Sequence, residues 1–164
     1  MRPLYLSAIL FLAGCATSAP PLPEELAAAI PPGSNTIVVH SDLSLDEIFA
    51  EARRHLIGKG FDFVRYSTEM HLMATDQVEI GQSTALRIVL QAGSMGDASQ
   101  VEAAGFWANV SAQSMMNSGP GSTGEMEHWE QAVWQGSERA TLAFGQLALI
   151  LNDLPHTQVL YLVK

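Results

Sequence analysis

The chain contains very little cysteine and few basic residues. Cys15 is the only cysteine among 164 residues, so one molecule cannot form an internal disulfide, a Cys-x-x-Cys zinc site or an iron–sulfur cluster. Lys and Arg number 8 against 17 Asp and Glu, which gives a formal net charge of −9. Because nucleic acid is bound through basic surfaces, this balance argues against a nucleic-acid partner.

The first apolar run is too short to cross a bilayer permanently. It extends from Leu4 to Leu12 and follows Arg2, whereas a membrane-spanning helix needs about 20 apolar residues. A positive start, a short apolar stretch and a small-residue end are typical of a secretory signal. The stretch ends in Leu12-Ala13-Gly14-Cys15, which resembles the lipobox of bacterial lipoproteins.

That resemblance implies that the Cys15 thiol receives a diacylglyceryl group. Cleavage between Gly14 and Cys15 and acylation of the new amino terminus would follow. Ala16, not Asp, comes after the cysteine, which resembles the pattern sent to the outer membrane in proteobacteria. We therefore expect a lipoprotein of the cell envelope, anchored by its acyl chains and facing the periplasm. The alternative is an ordinary signal peptide with a chance cysteine.

The distribution of proline predicts where the folded domain begins. We expect a signal peptide over residues 1–14, a lipidated cysteine and proline-rich tether over 15–35, and one domain over 36–164. The tether contains five prolines, which prevent a long helix: Pro20, Pro21, Pro23, Pro31 and Pro32. An extended tether of this kind would reach about 60 Å from the membrane.

Hydrophobic periodicity predicts an α+β domain in the order β-α-β-β-β-β-α-β. The first predicted helix follows the Ser44/Glu47 capping-box pattern and ends at Gly58-Lys59-Gly60. The second runs from about Glu127 to Leu151. The predicted strands are 36–40, 61–66, 70–75, 84–92, 103–112 and 158–163, with loops at 93–100 and 113–125. Since two helices cannot cover both faces of such a sheet, we expect a two-layer sandwich of a mostly antiparallel sheet with both helices on one face.

The sequence offers no convincing catalytic or metal-binding pattern. The five histidines are scattered, without the spacing that places two imidazoles on one side of an element. His40-Ser41-Asp42 contains the residue types of a hydrolytic triad, but neighbouring residues cannot adopt its geometry. Met70-His71-Leu72-Met73 has ligands suited to copper, although alternation places Met70 and Leu72 in the core. We expect no enzyme, cofactor or metal.

The predicted open side of the sheet is the better functional candidate. Alternation places Phe106, Ala108 and Val110 inward, which leaves a mixed apolar and polar set on the other side. That set is typical of a binding surface, and its candidate residues are Trp107, Tyr66, His71, Met73 and His40. We expect a non-enzymatic accessory or interaction module with an envelope protein partner. The alternatives are a lipoprotein that binds a small apolar or amphipathic ligand there, and a hydrolase.

Overall fold

A computed structural model of the chain describes residues 20–110 and 128–164. This part contains three helices and eight strands. The helices are α1 (Glu24–Ala29), α2 (Leu45–Gly58) and α3 (Glu138–Asn152). The strands are β1 (Thr36–Ser41), β2 (Phe63–Ser67), β3 (Leu72–Thr75), β4 (Val78–Gly81), β5 (Thr84–Met95), β6 (Ala98–Asn109), β7 (Glu130–Gln131) and β8 (Gln158–Leu162). The predicted α+β class is therefore confirmed.

The strands form one open sheet in the order β2-β3-β5-β6-β1-β8, with β4 beside β5 and β7 beside β6. Every pairing in the described part of the chain is antiparallel. The mostly antiparallel sheet predicted from the sequence is therefore confirmed. Helix α2 contacts β5 and β6, and α3 contacts β1, β5, β6 and α2.

One face of the sheet forms the hydrophobic core. Directly opposed residues of antiparallel strands point to the same face, and the register aligns Ile37 with Ala103 and Leu90 with Ala103. These side chains are almost fully buried and share a core with residues of the two longer helices, including Phe49 and Phe144. We call this side of the sheet the buried face.

Two hairpin turns differ from the sequence prediction. The predicted loop over 93–100 is wrong, because β5 and β6 continue to Met95 and Ala98, which face each other across the turn. Gly96 has a φ of +66°, which glycine adopts without steric cost. Strand β4 was not predicted. Gln82 and Ser83, at φ of +52° and +53°, join it to β5 in the conformation that tight hairpins favour.

The second long helix, α3, starts at Glu138. The predicted start, Glu127, is 11 residues earlier and lies outside the described residues. The Ser137 hydroxyl accepts a hydrogen bond from the Ala140 amide at 3.2 Å, which caps the helix. The preceding residues pair with the part of β6 that extends beyond its pairing with β1, and the Ala132 amide donates to the Gly105 carbonyl at 2.9 Å. Pairing with β6 therefore overrides a local helical pattern.

The predicted tether also needs correction. Residues 20–35 pack on the domain, and Ile30 is only 3% exposed. The Gly33 amide donates to the Trp134 carbonyl at 2.9 Å, and the Trp134 amide donates to the Ser34 carbonyl at 2.8 Å. Prolines prevent a long helix but do not prevent packing of the apolar residues between them, so the folded unit includes this segment.

Candidate functional site

The side of the sheet opposite the buried face carries a mixture of apolar and polar residues. Opposed pairs define two rows across it. The first contains Ala74, Val89 and Ala104 and, on the next two strands, the pair Thr36 and Leu162. The second contains Leu72, Gln91, Glu102, Val38 and Leu160. We call this set, together with His40 and Phe106, the open face.

The open face is partly accessible to solvent. Val89 is 37% exposed. Val38, whose cross-strand neighbours are Glu102 and Leu160, is only 5% exposed. Charges also lie within the open face, because Glu102 is in the middle of the second row and its carboxylate contacts the Lys164 ammonium at 2.7 Å. Toward the other end the Arg87 guanidinium lies 4.1 Å from the centre of the Trp129 ring. Within these rows the exposed apolar residue is therefore Val89 of β5, with half-buried Ala74 and Ala104 on the neighbouring strands.

Trp107 does not lie on the open face. It is aligned with Leu86, a fully buried residue, and it packs against the core. The predicted alternation was wrong by one residue, because Val101 and Ala103 of β6 point to the buried face, although Ala108 and Val110 are also buried. Both phases of this strand contain apolar residues, so the sequence pattern alone is ambiguous. Phe106 is the aromatic residue that β6 places on the open face.

Met73 and Tyr66 also lie on the buried side, where the register aligns them. Met73 is 0% exposed and belongs to the core. The Tyr66 ring stacks on Phe49 of α2 with ring centroids 5.4 Å apart, and the Arg53 guanidinium lies 5.1 Å from its centre. Although 43% exposed, Tyr66 covers the edge of the core instead of the opposite surface.

His71 joins this aromatic cluster from the turn between β2 and β3. Its ring meets Phe49 edge-on at 5.3 Å, and its Nε2 lies 2.8 Å from Oδ1 of Asp46. The residue has a φ of +45°, a left-handed conformation that histidine adopts more often than most residues. The imidazole thus connects the turn to the first turn of α2, which is a structural contact.

Of the five predicted binding residues, only His40 lies on the open face. It neighbours Gln100 and Gln158 in the register. The other four contact the core or α2, so the structure divides the set into two locations. The open face is defined by rows of cross-strand neighbours. Those rows depend on the register between strands, so no single strand of the sequence reveals them.

Residues of the two patterns considered for catalysis and metal binding have identifiable structural positions. Ser41 is buried and its Oγ accepts from the Leu43 amide at 3.3 Å, which prepares the turn into α2. Met70 is 49% exposed, contrary to the predicted core position, because β3 begins only at Leu72. Within residues 20–110 and 128–164, no three His, Cys, Asp or Glu side chains gather as metal ligands would.

Two shifted pKa values have structural causes. The Ser44 hydroxyl and amide donate to Glu47 Oε2 at 2.6 and 3.0 Å, and these hydrogen bonds lower the pKa of Glu47. Burial raises the pKa of Tyr161, whose hydroxyl has no hydrogen-bond partner within the described part of the protein. The first shift reflects helix capping and the second reflects packing beside Phe144.

No protein-family model and no curated protein matches this chain significantly. In the described ranges, no helix is both long and apolar enough to span a membrane. Cys15, the predicted lipidation site, lies outside the described residues, as does the predicted loop over 113–125.

Proposed function

We propose that the protein is a lipid-anchored lipoprotein of the bacterial cell envelope, held at the periplasmic side of the outer membrane. The proposal rests on Leu12-Ala13-Gly14-Cys15 and on Ala16 after the cysteine. Acylation of Cys15 would provide several hydrocarbon chains, and more than one chain is needed for durable anchoring. With a net charge of −9, the protein would gain little from electrostatic attraction to anionic lipid.

The domain would be a two-layer sandwich, with α2 and α3 together covering the buried face. Packing at Gly105 supports this arrangement. A Cβ added there would lie 3.2 Å from the Leu86 side chain and 3.4 Å from that of Leu147, so α3 approaches the buried face closely. Phe49 and Leu56 of α2 belong to the same core. The opposite side of the sheet is then left without a helix.

In this proposal the domain is a non-enzymatic interaction module, and an envelope protein binds its open face. The observation that carries it is the apolar group of exposed Val89 with its two half-buried cross-strand neighbours, Ala74 and Ala104. Contiguous apolar surface with a polar rim is typical of protein interaction sites. A small apolar or amphipathic ligand on the same face is the second candidate, and the same group supports it.

Anchoring can be tested by Cys15→Ser. We expect the variant to incorporate no labelled palmitate and to retain its signal sequence, because both the acylation and the peptidase step require the thiol. The unchanged protein, expressed in parallel, is the control. Palmitate incorporated equally into Cys15→Ser would contradict the proposal.

Binding can be tested by placing a photo-crosslinking amino acid at Val89, on the open face, in cells. The matched control is Ile57, which is 49% exposed but lies on α2. We expect a discrete protein adduct from position 89 and none from position 57. A small-molecule adduct in the mass spectrum would favour the ligand alternative. Equal adducts from both positions would contradict the open face as the binding site.

A further inference from the structure

The first described residues are attached to the outside of α3. The Gln146 side-chain amide donates to the Pro20 carbonyl at 2.9 Å. Leu22 lies beside Gly145, where an added Cβ would be 3.9 Å from the leucine side chain. The chain therefore enters the domain against α3, whose other side contributes Phe144 and Leu147 to the core.

This entry point is held by several interactions along the segment. Ile30 is buried in the core, and Leu22 and Ala27 pack against it. Backbone hydrogen bonds connect Gly33 and Ser34 to Trp134 at 2.9 and 2.8 Å. The segment from Leu22 onward is therefore held on the domain, and Pro20 is held against α3 by the hydrogen bond from Gln146.

Only four residues, 16–19, lie between Cys15 and Pro20, which are five peptide steps apart. Even a fully extended chain spans at most about 3.6 Å per residue, so the two lie within roughly 18 Å of each other. Pro20 lies on the outer side of α3, so the whole helix, about 10 Å thick, and the sheet separate it from the open face. This connection is therefore too short to let the domain turn over freely at the membrane.

We infer that α1 and the outer side of α3 face the lipid surface, and that the open face points away from it. This inference rests on the proposed function, because it requires acylated Cys15 as the anchor. Glu24 and Glu25 on α1 are exposed, so charge would not attract this side to anionic lipid. The short covalent connection imposes the orientation and leaves the open face accessible to a partner in the aqueous space.

Labelling of single introduced cysteines tests the orientation. Acylation consumes the only native thiol, so Glu25→Cys on α1 and Gln91→Cys on the open face can each carry one fluorophore. Both side chains are exposed, which limits the effect on folding. The full-length lipoprotein, purified from cells, is incorporated into phosphatidylcholine vesicles that contain a lipid with a nitroxide on its headgroup.

We expect the nitroxide to quench the fluorophore at position 25 several-fold more than the fluorophore at position 91. A Gly-Ser insertion of about 20 residues between Ala19 and Pro20, with a mean span of roughly 25 Å, should abolish that difference. Equal quenching at both positions without the insertion, in protein shown by its mass to be acylated, would overturn the orientation alone. Protein without acyl chains would overturn the proposed function and the orientation together.

Discussion

Trp107 lies directly opposite Leu86 in the β5–β6 pairing and therefore points into the core instead of toward a binding partner. Its indole Nε1 is buried without a hydrogen-bond partner in the described part of the chain. A side chain in this position contributes to stability through its apolar area, even though its N–H group is not satisfied.

Trp107→Ala should therefore destabilise the domain by about 2–4 kcal/mol, since it removes a large side chain from the edge of the core. Phe106→Ala, one residue earlier and on the open face, is the matched control and should cost less. Denaturant titration of both variants measures the difference. A larger loss for Phe106→Ala would contradict the observed register.

Phe144→Ala should lower the free energy of unfolding by about 3–5 kcal/mol, because the side chain is fully buried between α3 and the sheet. Val89→Ala should cost about 1 kcal/mol or less, since that side chain is partly in water already. The comparison uses chemical denaturation monitored by circular dichroism. Equal losses would show that both faces of the sheet are buried.

Glu47 should make the stability of α2 depend on acidic pH. Folding lowers its pKa below the ordinary value of 4.5 through hydrogen bonds from Ser44, so its contribution is present above that value and is lost as pH falls through the lowered pKa. In Glu47→Gln, the amide cannot ionise. The stability difference between the native protein and this variant should shrink on acidification. Urea titrations across the acidic range measure it, and a constant difference would refute the role of the charge.

Tyr161→Phe should leave stability at neutral pH unchanged or raise it, because the lost hydroxyl has no hydrogen-bond partner in the described structure. Burial raises the pKa of Tyr161 above 10.0. The native protein should therefore lose stability as pH rises from the unfolded pKa through the folded one. The variant should lose less in that range. Thermal unfolding below and above pH 10 gives both measurements; identical alkaline losses would contradict the prediction.

The sequence alone was sufficient for features that depend on neighbouring residues. The Ser44/Glu47 pair and the apolar stripe of Ile48, Ala52 and Leu56 predicted α2, because capping and helical periodicity are local properties. Alternation and β-branching similarly predicted β1, β5 and β8. The α+β class followed, since both periodicities occur along one chain. The lipobox-like motif is also local, and its role stays a prediction.

Only the tertiary structure decided which side chains share a face. Trp107 could not be placed from β6 alone, because both phases of that strand contain apolar residues and the choice depends on pairing with β5 and β1. The segment before Glu138 matched a helical pattern, but the edge of β6 offered unpaired backbone groups that Ala132 satisfies. Packing of Leu22 and Ile30 likewise turned an expected tether into part of the domain, because burial of apolar side chains outweighed the conformational freedom of a proline-rich segment.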